Sequence, residues 1–260
     1  QSHIAHYFLL ASRPNSDSST GRPVATKGTA NKVELITSYE EGKSVFGEDA
    51  SGVYGMSTLL KFLFANGAGA VKAVAVGKDE SEEKDYASAF AALSDEEDVG
   101  VMVCDSAAQS VHLLLKTAAE DASAARRERI AVIGGSEETV AQMVNRAKAV
   151  NSERVVLVGP DIASDDGGTM SAVFAAAAVA AVIAGNTDPS VPINGAELTL
   201  FGAAGKRLSD NEIDQLVRGG VTPIETVGGV SSPVRGITTK TSSGGAADTT
   251  WRELTTILIV

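Results

Sequence analysis

The feature that most constrains the fold is a regular alternation between short apolar runs and longer segments of helical pattern from residue 71 onward. The apolar, β-branched runs lie at residues 71–76, 99–104, 130–133 and 155–158. The helical segments that follow them lie at residues 85–93, 107–127, 137–150 and 171–184. Such alternation is typical of βαβ units, and continuous apolar strands indicate a sheet covered on both faces. The sequence predicts an α/β fold with a mainly parallel central sheet and helices on both faces.

Capping residues support this order of elements. Ser38, Ser136 and Ser171 each stand where a helix N-cap is expected, because a serine hydroxyl can accept from the first free amides of a helix. A further helix is predicted over residues 54–65, and Asn66 with Gly67 would end it. We also expect two strands before residue 71, one of them at residues 33–37.

The composition changes after residue 185. A connection rich in Pro, Gly and Asn precedes a strand-like stretch at residues 197–201 and a helix at 211–218 that Ser209 or Asp210 would cap. Three β-like runs follow, at residues 222–227, 233–239 and 254–260. We predict an α/β core over residues 1–195 and a smaller, β-rich C-terminal extension over residues 196–260. Because an unpaired apolar strand at a terminus would aggregate, we expect the native chain to continue past Val260.

Charge and cysteine content narrow the function classes. The chain has 260 residues and a formal net charge of −11, which argues against nucleic acid as a partner, since phosphate binding depends on Lys and Arg. Acidic runs at residues 79–85 and 95–98 are typical of a solvated face. The single cysteine, Cys104, excludes an intrachain disulfide and closes an apolar run, which predicts a buried side chain and a reducing compartment.

The alanine-rich run at residues 172–184 is shorter than the roughly 20 residues of a membrane span, so it predicts a buried helix and no membrane insertion. The first residues lack the basic and small-residue features of a secretory signal.

Ligands of an open α/β sheet bind where its parallel strands end. The residues expected there are Asp105 with Ser106, Gly134 to Ser136, and Pro160 with Asp161. Asp105 and Asp161 could form a carboxylate pair, but aspartates after strands more often cap helices and start turns. Capping is the interpretation that the sequence favours.

No motif in the chain predicts a cofactor or a metal. Glycines at residues 67–70 follow a helix, the opposite order to a dinucleotide fingerprint, and predict a turn. Residues 134–138 carry two glutamates that would repel a phosphate, so they predict helix capping. Residues 202–207 lack the remaining positions of a phosphate loop, and residues 161–168 lack calcium-loop spacing and predict an exposed loop.

The histidines and serines do not predict catalysis. His3 and His6 lie in a terminal stretch expected to fray, and His112 falls within a predicted helix, where a packed or surface role is expected. No serine stands in a nucleophile elbow. We therefore predict no catalytic, cofactor-binding or metal-binding residue and no enzyme.

Three parts of the chain carry segments whose shared order is informative. One part is VELITSYEEGKSVFGE at residues 33–48, followed by LLKFLFANGAGAVKAVAVG at residues 59–77. A second part is NSERVVLVGPD at residues 151–161, with an apolar helix and a Pro-rich connection over residues 176–198. The third part is LSDNEIDQLVRGGVTPIE at residues 208–225 and SSPVRGITTKT at residues 231–241, which includes the run VRGITTKT.

The order of these segments resembles that of the contractile phage tail sheath family. This resemblance implies a structural subunit without an active site. In the family, copies stack as rings around an inner tail tube, attach to a baseplate and contract to drive the tube through a target envelope. The resemblance also implies a place in the virion tail of a phage, prophage or injection system, with assembly in the bacterial host cytoplasm. Family members carry terminal arms and a further C-terminal part, so this sequence is expected to be a truncated fragment.

Two other functions compete with the sheath interpretation. The βα alternation also suits a doubly wound enzyme that binds a nucleotide or small molecule, or a solute-binding module. The enzyme interpretation predicts a pocket with convergent polar groups near Asp105 and Asp161. The sheath interpretation predicts none.

Overall fold

The computed structural model describes residues 7–12, 28–49, 54–77, 80–164, 167–186, 191–200, 207–243 and 246–247. Its strands are β1 (Tyr7–Ser12), β2 (Val33–Ile36), β3 (Ala70–Ala75), β4 (Val99–Cys104), β5 (Ile130–Gly134), β6 (Val155–Gly159), β7 (Ile162–Ala163), β8 (Thr169–Met170), β9 (Val221–Val227), β10 (Val230–Pro233), β11 (Ser242–Ser243) and β12 (Ala246–Ala247). Its helices are α1 (Tyr39–Phe46), α2 (Met56–Ala65), α3 (Glu82–Ala92), α4 (Gln109–Ala124), α5 (Val140–Val150), α6 (Ala172–Gly185) and α7 (Asp210–Arg218).

An eight-stranded sheet organises the chain, in the order β10-β9-β6-β5-β4-β1-β3-β2. The strands from β9 to β3 in this order are parallel, and only the edge strands β10 and β2 are antiparallel to their neighbours. Two strands, β1 and β2, precede β3 along the chain, as predicted. In the sheet, β1 lies between β3 and β4 and is an interior strand. The mainly parallel sheet is confirmed.

Helices cover both faces of this sheet, as the continuous apolar strands predicted. On one face, α2 and α6 pack on strand residues such as Val71, Val101 and Val132. On the other face, α3, α4 and α5 pack on the alternate strand positions, including Val74 and Met102. Because successive strand residues point to opposite faces, β3, β4, β5, β6 and β9 each contribute to both apolar layers.

The alanine-rich helix α6 is buried almost throughout and packs against β4, β5, β6 and α2. The prediction of a buried helix there is confirmed, and Ser171 caps it by accepting from the Val173 amide at 3.2 Å. Small side chains let this helix approach the sheet closely. Among the described residues, no helix combines the length and the apolar character that crossing a membrane requires.

The segment after residue 220 differs from the prediction in one respect. β9 pairs in parallel with β6 in the main sheet, and the predicted strand at residues 233–239 is wrong beyond Pro233, where β10 ends. The chain there is fixed by threonine hydroxyls: Thr222 Oγ1 donates to the Ile237 carbonyl at 2.9 Å, and Thr239 Oγ1 donates to the Ser152 carbonyl at 3.0 Å. Two backbone bonds also hold this stretch: the Val234 amide donates to the Pro223 carbonyl at 2.9 Å and the Thr239 amide donates to the Val155 carbonyl at 2.8 Å.

Several smaller predictions have clear outcomes. Ser38 and Ser209 cap α1 and α7, and Gly67, with φ at 99°, ends the turn after α2, all as predicted. The strand predicted at residues 197–201 is reduced to a single bridge at Leu198. Asp85 is buried in the first turn of α3 rather than solvated, because its carboxylate accepts from the Glu80 amide at 3.2 Å.

Other predictions fall on parts of the chain outside the described residues. They are the frayed histidines His3 and His6, the turn at residues 202–206 and the strand at residues 254–260.

Candidate functional site at the carboxyl ends of the strands

The start of α6 fills the space above the end of β5. A Cβ atom on Gly134 would lie 2.3 Å from the Ala172 carbonyl carbon and from the Val173 nitrogen. The hydroxyl of Ser171 donates to the Gly135 carbonyl oxygen at 2.7 Å. An enzyme of doubly wound fold would bind its ligand at this edge of the sheet. Here the chain's own helix occupies that place.

Asp161, which follows β6, holds two backbone segments together. Its Oδ1 accepts from the Ala172 amide of α6 at 2.8 Å, and its Oδ2 accepts from the Glu137 amide at 2.6 Å. A helix N-terminus attracts anions, and in phosphate-binding folds the phosphate sits there. The Asp161 carboxylate takes that position itself, so the capping interpretation of Asp161 is confirmed.

Asp105, at the end of β4, has a structural partner in α3. The hydroxyl of Tyr86 donates to Asp105 Oδ1. Burial, and next the negative charge of Asp105, raise the pKa of Tyr86, so its hydroxyl keeps its proton. The neighbouring Ser106 donates to Glu82 Oε1 at 2.7 Å and accepts from the Ala108 amide at 3.1 Å. These contacts join α3 and the start of α4 to the end of β4.

Helix α5 is capped by a different residue from the one predicted. It begins at Val140, and Thr139 and Gln142 form a reciprocal capping box, so the prediction of Ser136 as N-cap is wrong. Glu137 adopts a left-handed conformation with φ at 55°, which prevents the helix from starting at residue 137. Reciprocal capping satisfies two free amides, whereas Ser136 could satisfy one.

The stretch at residues 161–168, predicted as an exposed loop, contains part of a small hairpin. β7 pairs with β8, and Ile162 is buried, since it packs in the same apolar layer as α6. β7 and β8 have two residues each, which is too short for an alternation of apolar and polar residues to predict them from the sequence.

A groove of about 770 Å³ lies beside these elements. Its lining residues are Glu137, Glu138, Thr139, Val140, Ala141, Met143, Pro160, Asp161, Ile162, Ala163, Thr169, Leu208, Glu212 and Gln215. The lining includes Asp161 but not Asp105. Its polar groups serve the fold: Thr139 caps α5, Glu212 caps α7 and both Asp161 oxygens bind amides. The convergent pocket around Asp105 and Asp161 that the enzyme interpretation predicts is not formed by these lining residues.

A buried polar network crosses from α4 to α5 next to this groove. Arg146 donates from Nε to Glu138 Oε1 at 2.8 Å and from Nη1 to His112 Nδ1 at 3.1 Å. The other ring nitrogen of His112 donates to the Ser106 carbonyl at 2.8 Å. Because arginine can only donate, His112 Nδ1 must accept, which fixes a neutral ring with its proton on Nε2. His112 is therefore a packed residue, as expected.

This environment predicts an acid-sensitive fold. Burial, and next the Arg146 cation, lower the pKa of His112 from 6.5 to about 4. Between these pH values His112 is protonated in the unfolded chain and neutral in the folded chain. The free energy of unfolding therefore falls as the pH drops. We expect about 3 kcal/mol of the free energy of unfolding to be lost from His112 alone between pH 6.5 and 4. Urea unfolding across this pH range measures the loss.

The matched variant for that experiment is His112→Gln, whose amide can still donate to Ser106 but does not titrate. Carboxylates also titrate in this range, so the difference in slope between the two proteins isolates His112. Equal slopes for the wild type and the variant would contradict the assignment.

The role of Asp161 can be tested by Asp161→Ala. The variant leaves two backbone amides without their acceptor, and we expect it to lose about 2 kcal/mol of the free energy of unfolding. Asp214→Ala is the control, because the ion pair of Asp214 with Arg218 is exposed, and its loss should cost less than about 0.5 kcal/mol. Chemical denaturation measures both. Equal losses of unfolding free energy in the two variants would show that the Asp161 contacts do not stabilise the fold.

Sequence reasoning missed Glu138 and Arg146 as partners. Arg146 lies three residues after the buried Met143 and one before the buried Ala147, at the margin of the apolar face of α5. A charged residue at that margin indicates a partly buried polar contact. The sequence does not identify the partners, because they lie on a loop and on another helix. Among the described residues, no group of three or more His, Cys, Asp or Glu could hold a metal ion.

In this α/β fold the chain's own helix α6 fills the space at the end of β5, and Asp161 serves as a helix cap. The sequence model of the phage tail sheath protein central domain matches residues 79–239, more than half of the chain. The chain belongs to the phage tail sheath protein family. A search of curated protein sequences finds no match.

Solved structures share this fold over nearly the whole chain. The sheath tail protein of Desulfitobacterium hafniense is 10% identical with a TM-score of 0.73, and the match covers 100% of this chain and 78% of that one. The sheath tail protein of Listeria innocua is 10% identical with a TM-score of 0.71, covering 98% and 73%. The helical sheath of the anti-feeding prophage in its contracted state is 12% identical with a TM-score of 0.65, covering 98% and 66%.

At such low identity these structures establish a shared fold, while the family match establishes the role. The family is one of structural sheath proteins, so the resemblance seen in the sequence and the expectation that the chain is not an enzyme are confirmed.

Proposed function

We propose that this chain forms the core of a contractile sheath subunit, many copies of which surround an inner tail tube. The sheath is attached to a baseplate and shortens to drive the tube through a target envelope. The observation that carries the proposal is the family match over residues 79–239, on a fold shared with a sheath solved in its contracted state.

The physical basis of contraction is a repeated interface with two packings. A rigid subunit suits this work, because a small rotation at each contact sums along the polymer to a large displacement only if the subunit itself does not deform. The doubly covered sheet supplies such a body. α6, buried between the sheet and α2, ties one face together.

The proposal extends to partners and place. The partners are further copies of the chain, the inner tube protein and the baseplate, with neither nucleic acid nor membrane insertion. The protein works in a virion tail or a related injection system and assembles in the bacterial host cytoplasm. No residue acts in catalysis, cofactor binding or metal binding. Residues 1–195 form the α/β core, and residues 196–260 extend it.

Electron microscopy of the full-length sheath protein tests the proposal. We expect rings or tubes, and with the inner tube protein present we expect sheath along the tube. A full-length protein that remains monomeric at every salt and protein concentration would overturn it.

A further inference from the structure

A groove between α3 and α4 lies on the face of the sheet opposite α6. Its volume is about 350 Å³, and Phe90, Met102 and Leu114 with several alanines give it an apolar lining. One end is formed by Arg127 and Arg129, which precede β5. Exposed apolar grooves with a few polar groups at one end are typical of binding surfaces.

The two arginines leave donors unused. Arg129 is only 2% exposed, and its Nη groups donate to the carbonyls of Leu93, Ser94 and Glu96 at the end of α3. The Nε atoms of Arg127 and Arg129 are buried without an acceptor among the described residues. Arg127 also has a loose ion pair with Asp95, at 3.7 Å. The buried Nε atoms are closed to an incoming group, whereas the Nη groups of Arg127 can take a carboxylate at hydrogen-bond distance.

The accessible cation at this end of the groove is Arg127, whose side chain is 37% exposed, because Arg129 is buried. Asp121 in the lining and Asp95 beside Arg127 balance the two guanidinium charges, but Asp95, at 3.7 Å, is too far from Arg127 to accept a hydrogen bond. The occupant that fits is therefore an apolar segment that carries a carboxylate.

The turn between β9 and β10 has these properties. Val227 and Val230 are 68% and 45% exposed and are direct cross-strand partners on either side of Gly228 and Gly229. Positive φ angles at both glycines, 61° and 86°, make a tight turn that projects the valines. Glu225 lies two residues before Val227, so it is on the same face of the strand. We call residues 225–230 the valine tip.

We propose that the valine tip of one copy docks into the α3–α4 groove of the next, with Glu225 paired to Arg127. The inference rests on the proposed function, because it needs copies of the chain to pack together. The valines fill the apolar lining, and the Glu225 carboxylate accepts from the Nη groups of Arg127.

The topology makes this contact one between different copies. Arg127 and Arg129 lie at the amino end of β5, and the valine tip lies at the carboxyl end of β9, which runs in the same direction. The two surfaces therefore lie at opposite ends of the parallel strands of one sheet. A contact between unlike surfaces repeats from copy to copy and builds rings or open helices, which is the geometry of a sheath.

Disulfide cross-linking in the assembled full-length protein tests the contact. We expect Val227→Cys combined with Ala118→Cys to give a ladder of covalent oligomers on oxidation, and the native Cys104 is buried and should stay silent. The control combines Ala118→Cys with Val191→Cys, because Val191 is 51% exposed but lies outside the tip. Tubes without a ladder, an equal ladder in the control, or cross-linking of Ala118→Cys to another protein would each overturn the inference.

Assembly measurements separate this inference from the proposed function. Val227→Asp should raise the critical concentration for assembly at least about 10-fold, since a buried valine becomes a buried charge, while Val191→Asp should change it less than about 2-fold. Glu225→Arg and Arg127→Glu should each weaken assembly, and the double variant should recover most of the loss. Normal assembly of all these variants would overturn the docking contact alone. Failure of the wild type to assemble would overturn the proposed function as well.

Discussion

Gly134→Ala is expected to lower the free energy of unfolding by about 4 kcal/mol, which places it among the most damaging single substitutions. The added methyl group would lie 2.3 Å from main-chain atoms of Ala172 and Val173. A backbone neighbour cannot rotate away, so the whole start of α6 would have to move by about 1 Å to reach ordinary contact distance. α6 is fixed against three strands and α2, so that movement disrupts the packing of one entire face.

Gly100→Ala is the matched control for this substitution. Gly100 also lies in a parallel strand, but a Cβ atom there meets nothing within 4 Å. Because glycine is unfavourable in a strand interior, this variant should be neutral or more stable by about 0.5 kcal/mol. Urea unfolding monitored by circular dichroism compares the two, and soluble yield reports the case in which Gly134→Ala does not fold. Similar midpoints for both variants would mean that α6 is not fixed above β5.

The layers of the fold follow from local pattern, but the close approach at Gly134 does not. Apolar runs and capping residues predict β5 and α6 separately, since each depends on residues within a few positions. The contact of Gly134 with Ala172 joins residues nearly forty positions apart. Its only trace in the sequence is a glycine at the end of a strand, which equally predicts a turn.

The order of strands in the sheet also depends on contacts between distant residues, so local patterns do not predict it. The sequence predicts two strands before residue 71 but assigns residues to only one of them, at 33–37, whereas β1 pairs with both β3 and β4 in the interior of the sheet. Apolar character identifies a strand, whereas its neighbours depend on packing across the whole chain. The strand predicted at residues 233–239 is wrong beyond Pro233 for a different reason. Its β-branched threonines suit a strand, but the Thr222 hydroxyl binds the backbone of Ile237 and the Thr239 hydroxyl binds the Ser152 carbonyl, which holds the chain in another conformation.

The sequence predicts the capping role of Asp161 but not the two backbone segments that it joins. An aspartate after a strand commonly caps a helix, and Asp161 does so. The helix that it caps is α6, the next helix along the chain, and the β7–β8 hairpin brings the start of α6 to the end of β6. Asp105 was considered as its partner, but Asp105 instead receives the hydroxyl of Tyr86.

Arg146→Met is the second substitution with a large expected effect, and we expect it to cost about 3 to 5 kcal/mol. The Glu138 and Arg146 side chains are 13% and 11% exposed, so their ion pair is largely removed from water. Methionine fills much of the arginine volume but leaves the Glu138 carboxylate without its donor, and Oε2 of that carboxylate already lacks a partner among the described residues. A stranded buried charge, rather than a cavity, is the source of the cost.

A double-variant cycle distinguishes that cause from lost packing. Adding Glu138→Gln to Arg146→Met removes the stranded charge, so we expect it to recover about 2 kcal/mol in urea unfolding at neutral pH. Removing Arg146 also removes a cation beside His112, so the His112 pKa should rise from about 4 toward 6.5, which NMR titration measures. Arg218→Met is the control, since its exposed pair with Asp214 should be worth less than about 0.5 kcal/mol. If the double variant is as unstable as Arg146→Met, the loss comes from packing and the buried pair does not hold α5 in place.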